Sequence, residues 1–536
     1  MQLGLTRDVA GAPTSRATQL ADVPVWRADR LLQGAVRGRR YAHNPAVDDG
    51  LVLLSRGAGA LLDHADSQPL GALIEGVGAP AAALRGLWSD AALLMRHGML
   101  RHPPAETLRV ARALGTAVTT QRERVFDLWL HVTNDCNLDC PYCYIHKSPV
   151  HMGDEAMERT LAAIEAAARA GHTDRVHVRY AGGEPMLRLA ALQRFHEAAI
   201  ARCAAHGVRY SAAILTNGTV VPRGATDWVR EAGIGVSVSI DGVGAGQDTM
   251  RPTRNGRGSW AHLERGLDTW QGAGIRPYGL VTLGEHNVRQ APELVSWLLD
   301  RGLGFRLSLV RDLEWGAGAL DDRHGASRRH ERAPLGRDTI LQGEALHAVL
   351  RPLMAAYDRI EAHVAACVEA GTTPHPPMRA THRFCDLSPM RPIRKACGAG
   401  SSYAAISQTG QLSPCQAALH HEAETSLLDG QRSIVEVARA HQPFGAFARE
   451  VGNPVCGSCR HQASCAGGCP LLLHRRDGHI DGRSPYCEVF RAVIPRMVRI
   501  FALELLAEQR RGAPRGAADV PTNTRDTAAD ATAKEG

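Results

Sequence analysis

No run of about 18 apolar residues occurs anywhere in the 536-residue chain, so no segment reads as a membrane span. Met1–Ala21 has no apolar stretch of the kind a signal peptide carries, and the expected compartment is the cytoplasm. Blocks of like charge are missing too. Acids and bases are interspersed at a net charge of +7, and no polybasic tail argues for nucleic acid or a membrane surface as partner. The glycines of Gly242-Val243-Gly244-Ala245-Gly246 lack the strand, helix and following acid of a dinucleotide fingerprint. Gly512–Gly536 has hardly a large apolar side chain and cannot bury enough surface to fold.

What the chain has in quantity is cysteine, thirteen in all, and in a long unexported chain that points to metal rather than disulfides. Three lie in Cys136-Asn137-Leu138-Asp139-Cys140-Pro141-Tyr142-Cys143, a C-x3-C-x2-C loop. The alternating stretch Phe126–Thr133 before it reads as a strand, and Asp154–Ala170 after it as a helix, so the thiols sit on a strand-to-helix loop. Such thiolates hold zinc or iron–sulfur clusters, and both usually want four ligands. A zinc knuckle would take His131 or His146 as the fourth. A [4Fe–4S] cluster held by three cysteines would leave one iron open. Eight more cysteines follow as Cys385-x11-Cys397-x12-Gly410-x4-Cys415 and Cys456-x2-Cys459-x5-Cys465-x3-Cys469-x17-Cys487. Eight ligands suit two four-ligand centres, iron–sulfur or zinc-ribbon. Cys203 and Cys367 read as buried small hydrophobes on helices, and His420 and His421 as solvated.

The chain divides into a disordered lead (1–22), a small domain (23–102), a linker (103–124), an α/β unit (125–311), a charged loop with linking helices (312–380), a cysteine-rich unit (381–506) and a disordered tail (507–536). In the small domain Leu51–Leu54 reads as a strand, and Gly57–His64, Leu70–Gly76 and Pro80–His97 as helices. Pro80 suits a first helical position, with Ala81, Leu84, Leu87, Ala91, Leu94 and Met95 on one side. From Val125 strands alternate with helices, as in a parallel α/β barrel. The later strands are Val176–Tyr180, Tyr210–Leu215, Gly235–Ile240, Ile275–Leu283 and Phe305–Val310. Six strands make a partial (β/α)6 barrel, open on one side for a large substrate. At the carboxyl ends, where such folds bind ligands, stand Gly182-Gly183-Glu184-Pro185, Asn217, Ser239 and Asp241. The paired glycines let backbone approach closely, because no Cβ stands in the way.

The cysteine loop, with Tyr142 just before its third cysteine, resembles that of the radical SAM enzymes. The resemblance implies that Cys136, Cys140 and Cys143 hold a [4Fe–4S] cluster whose open iron binds S-adenosylmethionine, cleaved reductively to a 5′-deoxyadenosyl radical. It implies that Gly182, Gly183, Glu184 and Pro185 receive the methionine amino group. Asn217, Ser239 and Asp241 would contact the ribose and carboxylate, and Arg251 or Arg254 would bind the carboxylate. The spacing from Cys397 onward resembles the SPASM extension of peptide-modifying radical SAM enzymes. By that likeness Cys385, Cys397, Cys415 and Cys469 hold one auxiliary [4Fe–4S] cluster, and Cys456, Cys459, Cys465 and Cys487 the other, with Gly410 turning a hairpin. Residues 23–102 resemble the winged helix-turn-helix that binds precursor leaders by adding a strand to a sheet edge.

The implied function is hydrogen abstraction from a ribosomally made precursor peptide, bound through its leader, followed by oxidative cross-linking. A flavodoxin- or ferredoxin-type protein would donate electrons. A formylglycine-forming sulfatase maturase is the alternative, and a zinc-binding regulatory protein the alternative from another class. Two residues bear on the choice. If Cys385 ligates, the first auxiliary cluster is fully protein-bound and serves electron transfer rather than substrate binding. Where sulfatase-maturing enzymes have an aspartate base after the cysteine matching Cys415, this chain has Gln416, which has no basic side chain.

Overall fold

The computed structural model describes residues 20–115, 123–145, 147–311, 341–385, 387–393, 397–419, 426–441 and 453–512. His146, His420, His421, nearly all of the charged stretch after Arg311 and the tail beyond Gly512 lie outside them.

The amino-terminal unit holds more strand than its sequence suggests. Strands β1 (Pro24–Arg27), β2 (Leu32–Val36), β3 (Arg39–His43), β4 (Leu51–Leu53), β5 (Gln68–Pro69) and β6 (Leu100–Arg101) form two three-stranded sheets, β5-β1-β6 and β2-β3-β4. The helices are Arg56–His64, Leu70–Gly76, Leu84–Arg96 and Thr107–Leu114. Three expectations are corrected here. The third helix starts at Leu84, behind a 3-10 turn at Ala81–Ala83 capped by Pro80, and Ala81 is exposed. Residues 103–124 are not all linker, because Val110 and Leu114 of the Thr107–Leu114 helix are buried in this unit's core. Leu20, expected in the disordered lead, is 2% exposed in the same core.

The centre of the molecule is one ten-stranded sheet. Strands β7 (Val125–His131), β8 (Arg175–Ala181), β9 (Arg209–Thr216), β10 (Gly235–Ser239), β11 (Tyr278–Leu283) and β12 (Phe305–Leu309) run parallel in chain order. The cysteine-rich unit extends this sheet at both ends. Strand β13 (Arg383–Phe384) adds parallel to β12, and β14 (Tyr403–Ile406) adds parallel to β7. Strands β15 (Gln411–Ser413) and β16 (Ser426–Leu427) continue antiparallel, and Gly410, at φ 79°, turns the β14–β15 hairpin.

A parallel sheet covered on both faces reads as near-continuous apolar strands. These strands instead alternate. Phe126, Leu128 and Leu130, Val176 and Val178, and Phe305, Leu307 and Leu309 belong to the buried core shared with the surrounding helices. The opposite face carries Asp127, Trp129, His177, Arg179, Ser211, Ser237, Ser239, Arg306, Ser308 and Arg383, aligned by the strand register. Many of these are only half-buried, so the inner wall of the barrel is polar and open.

The long helix Gly343–Ala370 and the terminal helix Cys487–Arg510 pack together against the barrel. The terminal helix opens on Cys487 itself and runs through Arg510, into the stretch expected as tail. Leu32, Val36, Tyr41, Leu51 and Leu53 of the β2-β3-β4 sheet join the same core, which ties the amino-terminal unit to that helix.

Candidate functional site

The loop bearing Cys136, Cys140 and Cys143 leaves the carboxyl end of β7 and lies against the glycine pair that follows β8. Gly183 N–H donates to the Thr133 carbonyl at 2.7 Å, and Glu184 N–H to that of Asp135 at 2.8 Å. Gly182 has φ 142°, and a Cβ there would lie 2.4 Å from the Thr133 oxygen. A Cβ on Gly183 would lie 2.0 Å from the Asp135 oxygen. The glycines therefore make room for the root of the cysteine loop, a nearer reason than approach to a ligand.

Glu184 is fully buried. Its carboxylate accepts from Thr216 Oγ1 at 2.7 Å, Asn217 N–H at 2.7 Å and Met186 N–H at 3.0 Å, tying the ends of β8 and β9. Burial pushes its carboxyl up to about 7 against those bonds. Pro185, also buried, opens the short 3-10 helix that Glu184 caps. Asn217 Nδ2 donates to Asn137 Oδ1 at 2.8 Å and stands 3.8 Å from Cys136 Sγ.

Asp241 is fully buried and ends the turn after β10. It accepts from Arg251 Nε at 2.7 Å, from Thr282 N–H at 2.7 Å and from the Tyr142 hydroxyl. The Arg251 guanidinium lies 5.5 Å over the Tyr142 ring, with Nη1 3.8 Å from Cys140 Sγ. Arg254, by contrast, is half-exposed and pairs with Asp135 at 2.6 Å, so Arg251 is the arginine at the thiols. Ser239 is half-buried at the last position of β10. Gln247 and Asn287, which sequence reasoning passed over, are buried partners of the Asp241 backbone, its N–H donating to Gln247 Oε1 and its carbonyl accepting from Asn287 Nδ2, each at 2.8 Å. Nothing in their local sequence marks them, since Gln247 acts back across six residues and Asn287 lies 46 residues along the chain from Asp241.

Burial pushes the Cys136 thiol up to about 11 and the Cys140 thiol up to about 12, with the neighbouring thiols adding to the shift. His131 is buried with Nε2 2.7 Å from Asn134 Oδ1, and burial pushes it down to about 4.

The remaining thiols form two further groups. Cys397, Cys415 and Cys469 pack around Ala399, Ala417, Ala418 and Leu471, and Cys415 is raised by burial and by the other two thiols. Cys456, Cys459, Cys465 and Cys487 line one pocket, with His461 on its wall. Cys385 is buried at the end of β13 with φ 45°, and its thiol acts on the Tyr357 phenol. Tyr144 stands within electrostatic reach of both Cys143 and Cys415, linking the first group to the second. Gln416 Oε1 accepts from the Tyr403 hydroxyl at 2.5 Å. Cys203 is buried as expected, whereas Cys367 is only half-buried on its helix.

Among the described residues no three His, Cys, Asp or Glu side chains converge at the spacing of a single metal ion. A tetrahedral zinc with Zn–S bonds of about 2.3 Å holds its sulfurs roughly 3.8 Å apart. The thiolates of an iron–sulfur cubane bind separate irons and stand further apart. The donor sets are all sulfur and partly apolar in surroundings, a ligand chemistry that iron–sulfur clusters and zinc both take.

Residues 130–298 match the Radical SAM superfamily. The serine-type anaerobic sulfatase-maturating enzyme of Klebsiella aerogenes is 27% identical over 346 residues, covering 63% of this chain and 78% of that protein. The mycofactocin maturase MftC of Mycobacterium ulcerans (strain Agy99) is 26% identical over 403 residues, covering 74% of this chain and 93% of that protein. The solved structure of native anSMEcpe with bound AdoMet and Cp18Cys peptide superposes with a TM-score of 0.51 at 15% identity, covering 72% of this chain and 99% of that one. At that identity the likeness is one of fold.

Proposed function

We propose that the chain, whose residues 130–298 match the Radical SAM superfamily, is a radical SAM peptide maturase that oxidatively cross-links a ribosomally made precursor. One observation carries the reading. Three thiols of one loop gather at the carboxyl ends of parallel strands, with Asn217 Nδ2 and Arg251 Nη1 each 3.8 Å from a cysteine sulfur. Cys136, Cys140 and Cys143 would hold a [4Fe–4S] cluster, and Gly182–Pro185, Asn217, Ser239, Asp241 and Arg251 would line S-adenosylmethionine beside it. Together these groups, when bound, supply a 5′-deoxyadenosyl radical that abstracts a hydrogen atom.

The chain's own residues prepare that chemistry. Arg251, held by Asp241 and stacked on Tyr142, places a fixed positive charge where a carboxylate would sit against the thiols. N–H groups near the sulfurs tune a cluster's potential. Cys397, Cys415 and Cys469 with Cys385, and Cys456, Cys459, Cys465 and Cys487, would hold two auxiliary clusters, which would supply one-electron redox chemistry. Residues 23–102 would bind the leader at an open edge of the β2-β3-β4 sheet.

The similarity to a sulfatase-maturating enzyme supports a second reading, oxidation of a protein Ser or Cys to formylglycine. Against it, the side chain after Cys415 is an amide already accepting from Tyr403. Anaerobic protein should carry about 12 irons per chain and form 5′-deoxyadenosine from S-adenosylmethionine on reduction. Replacing Cys136, Cys140 and Cys143 together by Ala should abolish that product and leave about eight irons. A colourless chain holding zinc would end the reading. Turnover of a sulfatase peptide, with none of a precursor encoded nearby, would select the second one.

A further inference from the structure

The four sulfurs of Cys456, Cys459, Cys465 and Cys487 line one pocket, and two charged side chains meet at the last of them. Arg483 Nη2 stands 3.6 Å from Cys487 Sγ, and the same nitrogen donates to Glu488 Oε1 at 2.5 Å. Arg483 is also within electrostatic reach of Cys456, so its charge faces two of the four sulfurs. Arg491, which lines the pocket, reaches the same carboxylate, with Nη1 3.4 Å from Glu488 Oε1.

The turn beneath Arg483 is held without help from its side chain. Its carbonyl accepts from Arg476 Nη2 at 2.9 Å, and the carbonyl of Gly482 accepts from Asn453 Nδ2. Arg483 and Glu488 are 42% and 29% exposed, and an ion pair so open to water adds little to stability. What sets this pair apart is the sulfur beside it. A cluster held by four thiolates is already an anion, and reduction adds one more negative charge. A positive charge at a ligand sulfur therefore favours the reduced form, and a negative one the oxidised form.

We propose that Arg483 sets the reduction potential of the cluster that Cys456, Cys459, Cys465 and Cys487 would hold, with Glu488 acting against it. The inference rests on the auxiliary-cluster reading above. Arg483 is a positioning residue, because it acts on the electron through Cys487 and not on the substrate.

The test is a redox titration of the anaerobic, cluster-loaded full chain, with dithionite as reductant and electron paramagnetic resonance as readout. The transition that Cys487→Ser moves or removes belongs to this centre. Arg483→Met should shift its reduction equilibrium about tenfold toward the oxidised form, a midpoint lower by about 59 mV for one electron. Glu488→Gln should raise the same midpoint. Arg483→Lys keeps the charge and should restore most of the wild-type value. The other transitions should stay in place in all three variants. A structural role alone would not move one midpoint in opposite directions. Arg483→Met should load iron like wild type, since the backbone bonds of the turn survive it. Should it fail to load, the rise expected of Glu488→Gln carries the test, and an unmoved midpoint there would overturn the proposal. An Arg483→Met midpoint equal to wild type, or shifts of one sign in both variants, would overturn the role of Arg483 and leave the cluster standing. Wild type with zinc at these thiols, or with no transition that answers to Cys487→Ser, sinks the auxiliary-cluster reading itself.

Discussion

Asp241 carries three jobs with one carboxylate: it grips Arg251, anchors the Tyr142 hydroxyl and receives the Thr282 N–H. Removing the guanidinium leaves a buried charge half-satisfied. Arg251→Ala should therefore cost roughly 3 kcal/mol in urea unfolding of the cluster-free chain, and a loss under about 1 kcal/mol would show that Tyr142 and Thr282 suffice. The glycine pair makes a second claim at this scale. With 2.0 Å between a Gly183 Cβ and the Asp135 oxygen, Gly183→Ala must displace the root of the cysteine loop. Iron content should fall by about four per chain while the other eight irons remain. Full loading of the Gly183→Ala chain would disprove the close approach.

The terminal helix shows what a whole element adds. Fourteen of its residues are buried, Glu504 among them. Glu504 accepts from Arg379 N–H at 2.7 Å, yet burial pushes its carboxyl up to about 7 from 4.5, with Arg379 only partly opposing. A carboxyl raised on folding stabilises the fold fully below its unfolded pKa and loses that contribution as pH rises through the folded one. The window is pH 4.5 to 7. Glu504→Gln keeps the acceptor and removes the titration, so its melting temperature should fall less across that window than wild type's. Parallel curves would mean that Glu504 ionises freely.

At the scale of the molecule, the amino-terminal unit is built into the rest. Arg30 reaches from the β1–β2 turn to the Gly457 carbonyl at 2.7 Å, on the loop between Cys456 and Cys459. His43 Nε2 lies 2.6 Å from the Pro389 carbonyl, and Arg499 donates to the Ala35 carbonyl at 2.6 Å. A chain lacking residues 20–115 would leave the terminal helix without the Leu32, Val36, Tyr41, Leu51 and Leu53 contacts. It should bind a hydrophobic dye and melt lower. Unchanged melting would show that the two units are merely tethered. Leader binding is for the same reason best measured on the full chain, because an isolated 23–102 fragment exposes that apolar face.

The cysteine spacings, the strand–helix alternation from Val125 and the Gly182–Pro185 turn were legible in the chain because each is local: a few consecutive residues carry the period or the ligand set. Strands β1, β2 and β3 were not, since Pro24–His43 is short and Arg-rich, β1 is held by strands some 40 and 75 residues on, and the β2-β3-β4 sheet is steadied by a helix hundreds of residues away. Nor was the extension of the barrel sheet by β13 and β14, two and four residues long, whose pairing comes from neighbours distant in sequence. The order of the amino acids by itself determined which side chains could hold metal and where the strands of the barrel run. Only the tertiary structure decided which arginine meets the thiols, why two glycines stand side by side, and that Arg306 and Arg383 share one row, because each of these depends on distances between segments that no local pattern encodes.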